Sequence, residues 1–280
     1  MINFEKFSDN NQENENRLSE RYKHIVTKNL DAIRGKRILD IAANNGRWTY
    51  AALESAALHV TSIEGRQDRI ADAIKFINEL GFNSDQYKAY CGDMYDFLYD
   101  HKNDLKIDTV FLLGVYYHVM DHYHLLKSIA RLKPQTIIID SGFIRSFRNS
   151  IHVQFEDPRK HLNALAVFKD QASEPVGFIS LGLMIQMAWN LGYNCRPVVW
   201  DPKEIDDKPC VQDYLMGRRF TVRLDYTGTH YDPEWGKYWQ AALVKIKPDF
   251  DKLFSRSTHD SAMDVRAKNP VEHHIFTVLE

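Results

Sequence analysis

Residues 37–46 read Arg37-Ile38-Leu39-Asp40-Ile41-Ala42-Ala43-Asn44-Asn45-Gly46, and this stretch decides the fold. An apolar run from Arg37 to Ala43 that breaks into turn-prone residues reads as a buried strand feeding a tight loop. Ala42, Ala43 and Gly46 permit close approach of a ligand to the backbone, and Asn44 and Asn45 tolerate left-handed angles better than most residues. Working downstream, Trp48 to Ala56 reads as a helix and His59 to Glu64 as a second strand. A helix with Ile70, Ala73, Ile74, Ile77 and Leu80 on one face follows and stops at Gly81. A short third strand near Gln86 to Cys91, a fourth over Asp108 to Gly114 and a fifth over Thr136 to Asp140 continue the alternation. Between the last two, Leu125, Leu126, Ile129 and Leu132 line a helix halted at Lys133-Pro134. Strands alternating with helical periods predict βαβ units around a parallel sheet.

Upstream, Leu18, Tyr22, Ile25, Val26, Leu30 and Ile33 recur at helical spacing before Gly35, which predicts an amphipathic helix. The first dozen residues, rich in Asn and Gln, are expected to be too polar to pack. After the fifth strand, Gly142 to Glu174 shows weak periodicity and much charge, which predicts an insertion over the mouth of the sheet. A helix carrying Ile179, Leu183, Met187, Ala188 and Leu191 follows, then two last strands over Cys195 to Trp200 and Phe220 to Tyr226. The tail holds Tyr231, Trp235, Tyr238 and Trp239, a content that argues for packing, against its own body or in a homodimer.

With 280 residues and 44% hydrophobic content the chain can bury a full core. Its 36 Lys+Arg against 38 Asp+Glu leave a net charge of -2, so composition supplies no field for gripping phosphate backbones and disfavours nucleic acid as a partner. Cys91, Cys195 and Cys210 are an odd, scattered set with no C-x-x-C pair and no secretory leader before them, which fits a reducing cytoplasm. Apolar runs such as Val110 to Leu113 are far shorter than the roughly 20 residues of a membrane span.

A doubly wound sheet binds its ligand at the carboxyl ends of its strands. Neither G-x-G-x-x-G nor G-x-x-x-x-G-K-[ST] occurs, which argues against dinucleotides and nucleoside triphosphates. Glu64 at the end of the second strand can accept both hydroxyl hydrogens of a ribose, or serve as an acid favoured by a helix N-terminus.

The stretch Ile38 to Trp48 resembles the first motif of the class I S-adenosylmethionine-dependent methyltransferases, with Gly46 in place of the motif's last glycine and Ala42 and Asn44 in place of the other two. The resemblance runs over about residues 35 to 141: Glu64 stands where the family's ribose acid stands, and Cys91-Gly92-Asp93-Met94 is similar to its adenine-contacting segment. Leu112-Leu113-Gly114-Val115-Tyr116-Tyr117-His118 is similar to its fourth-strand motif, and also to the enzymes that make the carboxymethoxy group of wobble uridine in transfer RNA. The resemblance implies a Rossmann-like α/β fold, an αβα sandwich around a mostly parallel seven-stranded sheet whose last strand is antiparallel. On this reading residues 1–34 form an N-terminal arm and helix, 35–227 the methyltransferase domain with a cap at 142–176, and 228–280 a C-terminal extension. It implies S-adenosylmethionine as cofactor and S-adenosylhomocysteine as product. Asp40, Ala42, Asn44, Gly46, Trp48, Glu64, Gly65, Asp93, Met94, Leu113 and Gly114 would surround them.

Methyl transfer from a sulfonium needs alignment, and a base when the acceptor holds a proton. His118, with Tyr117 beside it, is the candidate for that catalytic role, because an ordinary imidazole is largely neutral at working pH; packing or helix capping is the other reading. His118, Asp121, His122 and His124 have the spacing of partial metal ligands, but no third or fourth partner is evident and no metal is expected. For a small-molecule acceptor, an amino acid or other zwitterion, the candidates are Tyr22, Tyr116, Arg145, Glu156, Tyr214 and Arg219: guanidiniums for a carboxylate, an acid for an ammonium. The alternatives are a transfer RNA wobble-uridine enzyme, and a cofactor-binding subunit without turnover.

Overall fold

The computed structural model describes residues 2–228, apart from 9–13, 102–103, 161, 167, 169 and 206. The aromatic tail lies outside the described residues. Five parallel strands form first: β1 (Arg37–Ile41), β2 (His59–Glu64), β3 (Tyr87–Cys91), β4 (Thr109–Leu113) and β5 (Thr136–Gly142). A hairpin of β6 (Ile151–Glu156) and β7 (Glu174–Ile179) stands apart as its own two-stranded sheet. The main sheet is completed by β8 (Tyr193–Pro197) and β9 (Arg219–Tyr226), in the order β3-β2-β1-β4-β5-β9-β8. β9 runs antiparallel to both neighbours, as expected for the last strand.

Strand side chains alternate between two helical layers. Leu39, Val110, Leu112, Ile137 and Ile139 meet α4 (Met94–Asp100), α5 (His122–Ala130) and α6 (Leu181–Asn190). Ile38, Phe111, Leu113 and Ile138 face the opposite layer, which holds α1 (Glu15–Arg21), α2 (Arg47–Glu54) and α3 (Gln67–Glu79). Because β1 pairs with both β2 and β4, the loops leaving β1 and β4 diverge and open a crevice between them.

Several local expectations are corrected. The polar N-terminus is not loose throughout: Phe4 and Phe7 are fully buried, Phe7 stacked on Tyr50 at 4.9 Å and Phe4 edge-on to Trp48 at 6.2 Å. Burying a side chain of that size is worth about 1.5–3 kcal/mol, enough to outweigh polar neighbours. The single N-terminal helix is instead α1, a wider π-type turn at Tyr22–Val26 and a 3-10 segment at Thr27–Ala32. Ile179 belongs to β7, and α6 starts two residues later, at Leu181, capped by Ser180 through a bond from the Leu183 N–H. The 201–217 segment holds the short helices α7 (Pro202–Ile205) and α8 (Gln212–Leu215). α4, unanticipated, begins at the cap Asp93.

Candidate functional site

A cavity of about 750 Å³ opens at the carboxyl ends of β1, β2 and β4. Ala42, Ala43 and Asn44 of the loop after β1 are part of its wall; Ala42 (φ +57°), Asn44 (φ +52°) and Gly46 (φ +83°) all adopt left-handed angles, and Gly46, expected at the cofactor, is off the wall and faces α3. At Gly46 a Cβ would come within 3.0 Å of the Ala73 Cβ on α3, so this position needs glycine on both counts. At Asn44 the side chain ties the bend down, its Oδ1 accepting from the Asn45 N–H (2.8 Å) and Arg47 Nη2 (3.1 Å).

Glu64 ends β2 on the cavity wall, 5% exposed. Its Oε2 accepts from the Asn44 N–H (2.8 Å) and its Oε1 from the Arg66 N–H (3.0 Å). Two backbone donors thus fix the carboxylate, and each oxygen keeps a second lone pair for a ligand hydroxyl. Gly65, Trp48, Leu113 and Gly114 line the same cavity, as do Asp93 and Met94. Asp93 is also the cap of α4, its Oδ1 accepting from the N–H groups of Tyr95 (2.7 Å) and Asp96 (3.2 Å).

Asp40 is corrected. Its carboxylate is off the cavity wall and fully buried, accepting from Thr49 Oγ1 at 2.7 Å, which anchors α2 to β1. Burial pushes its carboxyl up to about 7, opposed by the Thr49 hydrogen bond and aided by the charge of Glu64. A raised folded-state value means the native protein holds a proton the unfolded chain has released, so this group's contribution is present below about pH 4 and lost as pH rises through about 7. Asp40→Asn is therefore expected to melt higher than the parent at pH 8 and to lose that advantage at pH 5. Thermal unfolding at the two pH values checks it.

The cavity continues past β4 onto the 3-10 turn Tyr116–His118. His118 Nδ1 lies 2.8 Å from Glu156 Oε2, which also accepts the Ala164 N–H at 2.8 Å. Burial opposes ionisation of Glu156, yet the hydrogen bond and charge of His118 hold its carboxyl below the ordinary value. Tyr117 stacks on Phe178 of β7 (5.4 Å, 24°), and the Arg219 guanidinium sits 5.7 Å from the Tyr117 ring centre.

Arg219 and Arg21 both line the cavity and both donate to Asp140 Oδ1, Arg21 through Nη2 at 3.0 Å. Tyr214 and Thr221 hydroxyls each donate to Asp140 Oδ2 at 2.7 Å. Burial alone would raise the Asp140 carboxyl, but Arg219 and Arg21 bring it down to about 2.

Four acceptor-side expectations do not hold. Tyr116 is buried against His122 (4.9 Å) and Phe143, off the cavity wall. Tyr22 turns its hydroxyl to Ser55 Oγ (3.1 Å) and its ring to Phe4; its neighbour Arg21 reaches the wall instead. Tyr214 lies behind Asp140, stacked on Trp200 at 3.6 Å. Arg145 is not on the wall. Glu156 is on it but is bonded to His118 rather than presented as an isolated acid. Among the wall residues that sequence reasoning missed are Arg21, Arg47, Arg66, the insertion's Leu162 to Leu165, and Glu174. Arg47 directly follows the loop and Arg66 stands two residues after Glu64, a signal that could have found them. Among the described residues no three His, Cys, Asp or Glu side chains are placed to hold a metal ion, and no helix is long and apolar enough to cross a membrane.

No protein-family profile matches the chain, and no curated protein sequence does. Solved structures do match. The N-terminal domain of EvdMO1 with SAH bound superposes with a TM-score of 0.54 at 17% identity, over 75% of this chain and 81% of that one. The same domain in the presence of SAH and D-fucose gives 0.56 at 18%, over 79% and 85%. A Listeria monocytogenes protein described as an S-adenosylmethionine dependent methyltransferase gives 0.53 at 11%, over 75% and 98%.

Proposed function

We propose that this chain, whose fold is that of the class I S-adenosylmethionine-dependent methyltransferases, is an enzyme that methylates a small acceptor. One observation carries the reading: a carboxylate fixed by two backbone donors stands at the tip of β2, beside a left-handed small-residue bend, on the wall of a cavity of about 750 Å³. That volume lies within the roughly 300–1,000 Å³ of small-ligand and cofactor sites, and the carboxylate acceptors on its wall suit a nucleoside. Glu64 would accept the ribose hydroxyl hydrogens, Asp93 and Met94 would flank the adenine, and the 42–44 bend with Gly114 would lie along the amino-acid part. When bound, S-adenosylmethionine supplies an electrophilic sulfonium methyl and leaves as S-adenosylhomocysteine.

His118 then takes the acceptor's proton, and Tyr117, held by Phe178 and Arg219, forms the wall beside it. For an amino acid or other zwitterion, Arg219 would face the carboxylate and Glu174, on the same wall, the ammonium. The three described cysteines are all free, which supports a soluble enzyme of a reducing cytoplasm.

The test is calorimetric titration with S-adenosylhomocysteine. The parent should bind, and Glu64→Ala should bind about 10- to 150-fold more weakly, the loss of about 1.5–3 kcal/mol that hydrogen bonds to a charged group contribute. Equal affinity would remove Glu64 from the ribose role; a parent that gives no heat with either form of the cofactor would sink the whole reading.

A further inference from the structure

The geometry points to Glu156 as the residue that positions His118 for proton abstraction, and so to an acceptor whose reacting oxygen or nitrogen still carries a proton at neutral pH. The inference rests on the methyltransferase reading above and names the substrate class that reading leaves open.

Glu156 closes β6, on the insertion, far in sequence from the turn after β4, yet its Oε2 meets His118 Nδ1 at 2.8 Å. An ionised carboxylate can only accept. In the neutral ring the proton is therefore on Nδ1, and the lone pair is on Nε2, the nitrogen left for a ligand in the cavity that His118 lines. This is the division of labour of a base and its orienting acid.

The acid is itself held. The Ala164 N–H donates to the same Oε2 at 2.8 Å. Ala164 sits between Asn163, whose carbonyl accepts from Arg66 Nη2 at 2.7 Å, and Leu165, whose Cδ1 lies so close over Gly65 that a Cβ there would be 2.2 Å away. Arg66 in turn gives its backbone N–H to Glu64 at 3.0 Å. A chain of direct contacts thus runs from the strand-tip carboxylate through the seated insertion to the orientation of the imidazole.

A base so built is idle for a thioether or a tertiary amine, whose lone pairs react without losing a proton. It serves a hydroxyl, a phenol or an ammonium. In the step, the acceptor's X–H bond breaks toward His118 Nε2 and the acceptor's lone pair forms the new bond to the methyl carbon. The carbon–sulfur bond breaks with its electron pair going to sulfur, and the imidazolium later returns its proton to water.

The test uses the full chain with ¹⁵N-labelled histidine. The parent should show His118 protonated at Nδ1 and unprotonated at Nε2, and Glu156→Ala should lose that bias. In turnover with a pool of alcohols, phenols, amines and thioethers, Glu156→Gln, which keeps an oxygen for the Ala164 N–H, should lower kcat about 10- to 100-fold with KM changed less than about threefold. S-adenosylhomocysteine binding serves as the check that both variants fold. A parent carrying the proton on Nε2, a Glu156→Gln with parental kcat, or methylation confined to thioether sulfur would each overturn the inference. A parent that binds no cofactor would instead overturn the methyltransferase reading, while the tautomer measurement would still decide the role of Glu156.

Discussion

Asp140→Ala is expected to lose about 3–5 kcal/mol of folding stability, the range for breaking a buried ion pair from one side. Asp140 is fully buried and accepts from Arg21, Arg219, Tyr214 and Thr221, which come from α1, α8 and β9. Removing it leaves two guanidiniums facing each other without the carboxylate that joins them, and two buried hydroxyls without their acceptor. Asp140→Asn keeps the shape and part of the bonding, so its loss should be smaller. Urea unfolding of the two variants decides: a midpoint equal to the parent's would mean the carboxylate stabilises nothing. The pH dependence has a definite sign. With the folded-state value at about 2, below the ordinary carboxylate value of about 3.9, the contribution is complete above about pH 4 and fades as pH falls toward 2.

His118→Ala is the second large effect, an expected fall in kcat of about 10²- to 10⁴-fold, the usual worth of a positioned general base. Cofactor affinity should stay within a few-fold of the parent, because Glu64, Asp93 and Met94 belong to other strand tips. Single-turnover rates with an acceptor that the parent methylates measure the first quantity and calorimetry the second. A parental rate would mean that alignment alone carries the reaction.

The strands were legible because they are buried on both faces: β1, β4 and β5 are nearly continuous apolar runs, and such runs announce a parallel sheet. The part of the cavity wall at the strand tips was legible for a related reason. Glu64, Gly65 and the 42–46 bend sit at strand tips, where position along the chain translates directly into position in space. The rest of the wall was not, because its residues depend on which way a turn faces. Arg21 and Tyr22 are adjacent, but about 100° apart around a helix, and the π-type turn that starts at Tyr22 takes up extra residues and spoils the spacing read from Leu18 to Ile33. Tyr116 and Tyr117 divide in the same way between core and cavity. The β6–β7 hairpin escaped although Ile151-His152-Val153-Gln154-Phe155-Glu156 alternates apolar and polar residues: β6 is exposed along almost its whole length, so its alternation answers to no buried face, and the charged residues around it mask the short run. In the N-terminal arm, the average polarity hid two aromatic side chains that pack.

The insertion leaves and rejoins the sheet at one seam. Ile144 bridges Ser180, its N–H donating to the Ile179 carbonyl (2.9 Å) and its carbonyl accepting from the Leu181 N–H (3.1 Å). A stretch stapled shut at its base can lengthen or shorten at small entropic cost, about 0.6 kcal/mol per doubling of its span. The part of the cavity wall that the insertion supplies is thus an exchangeable cassette: the strand tips can stay as they are while what hangs beyond that staple is swapped.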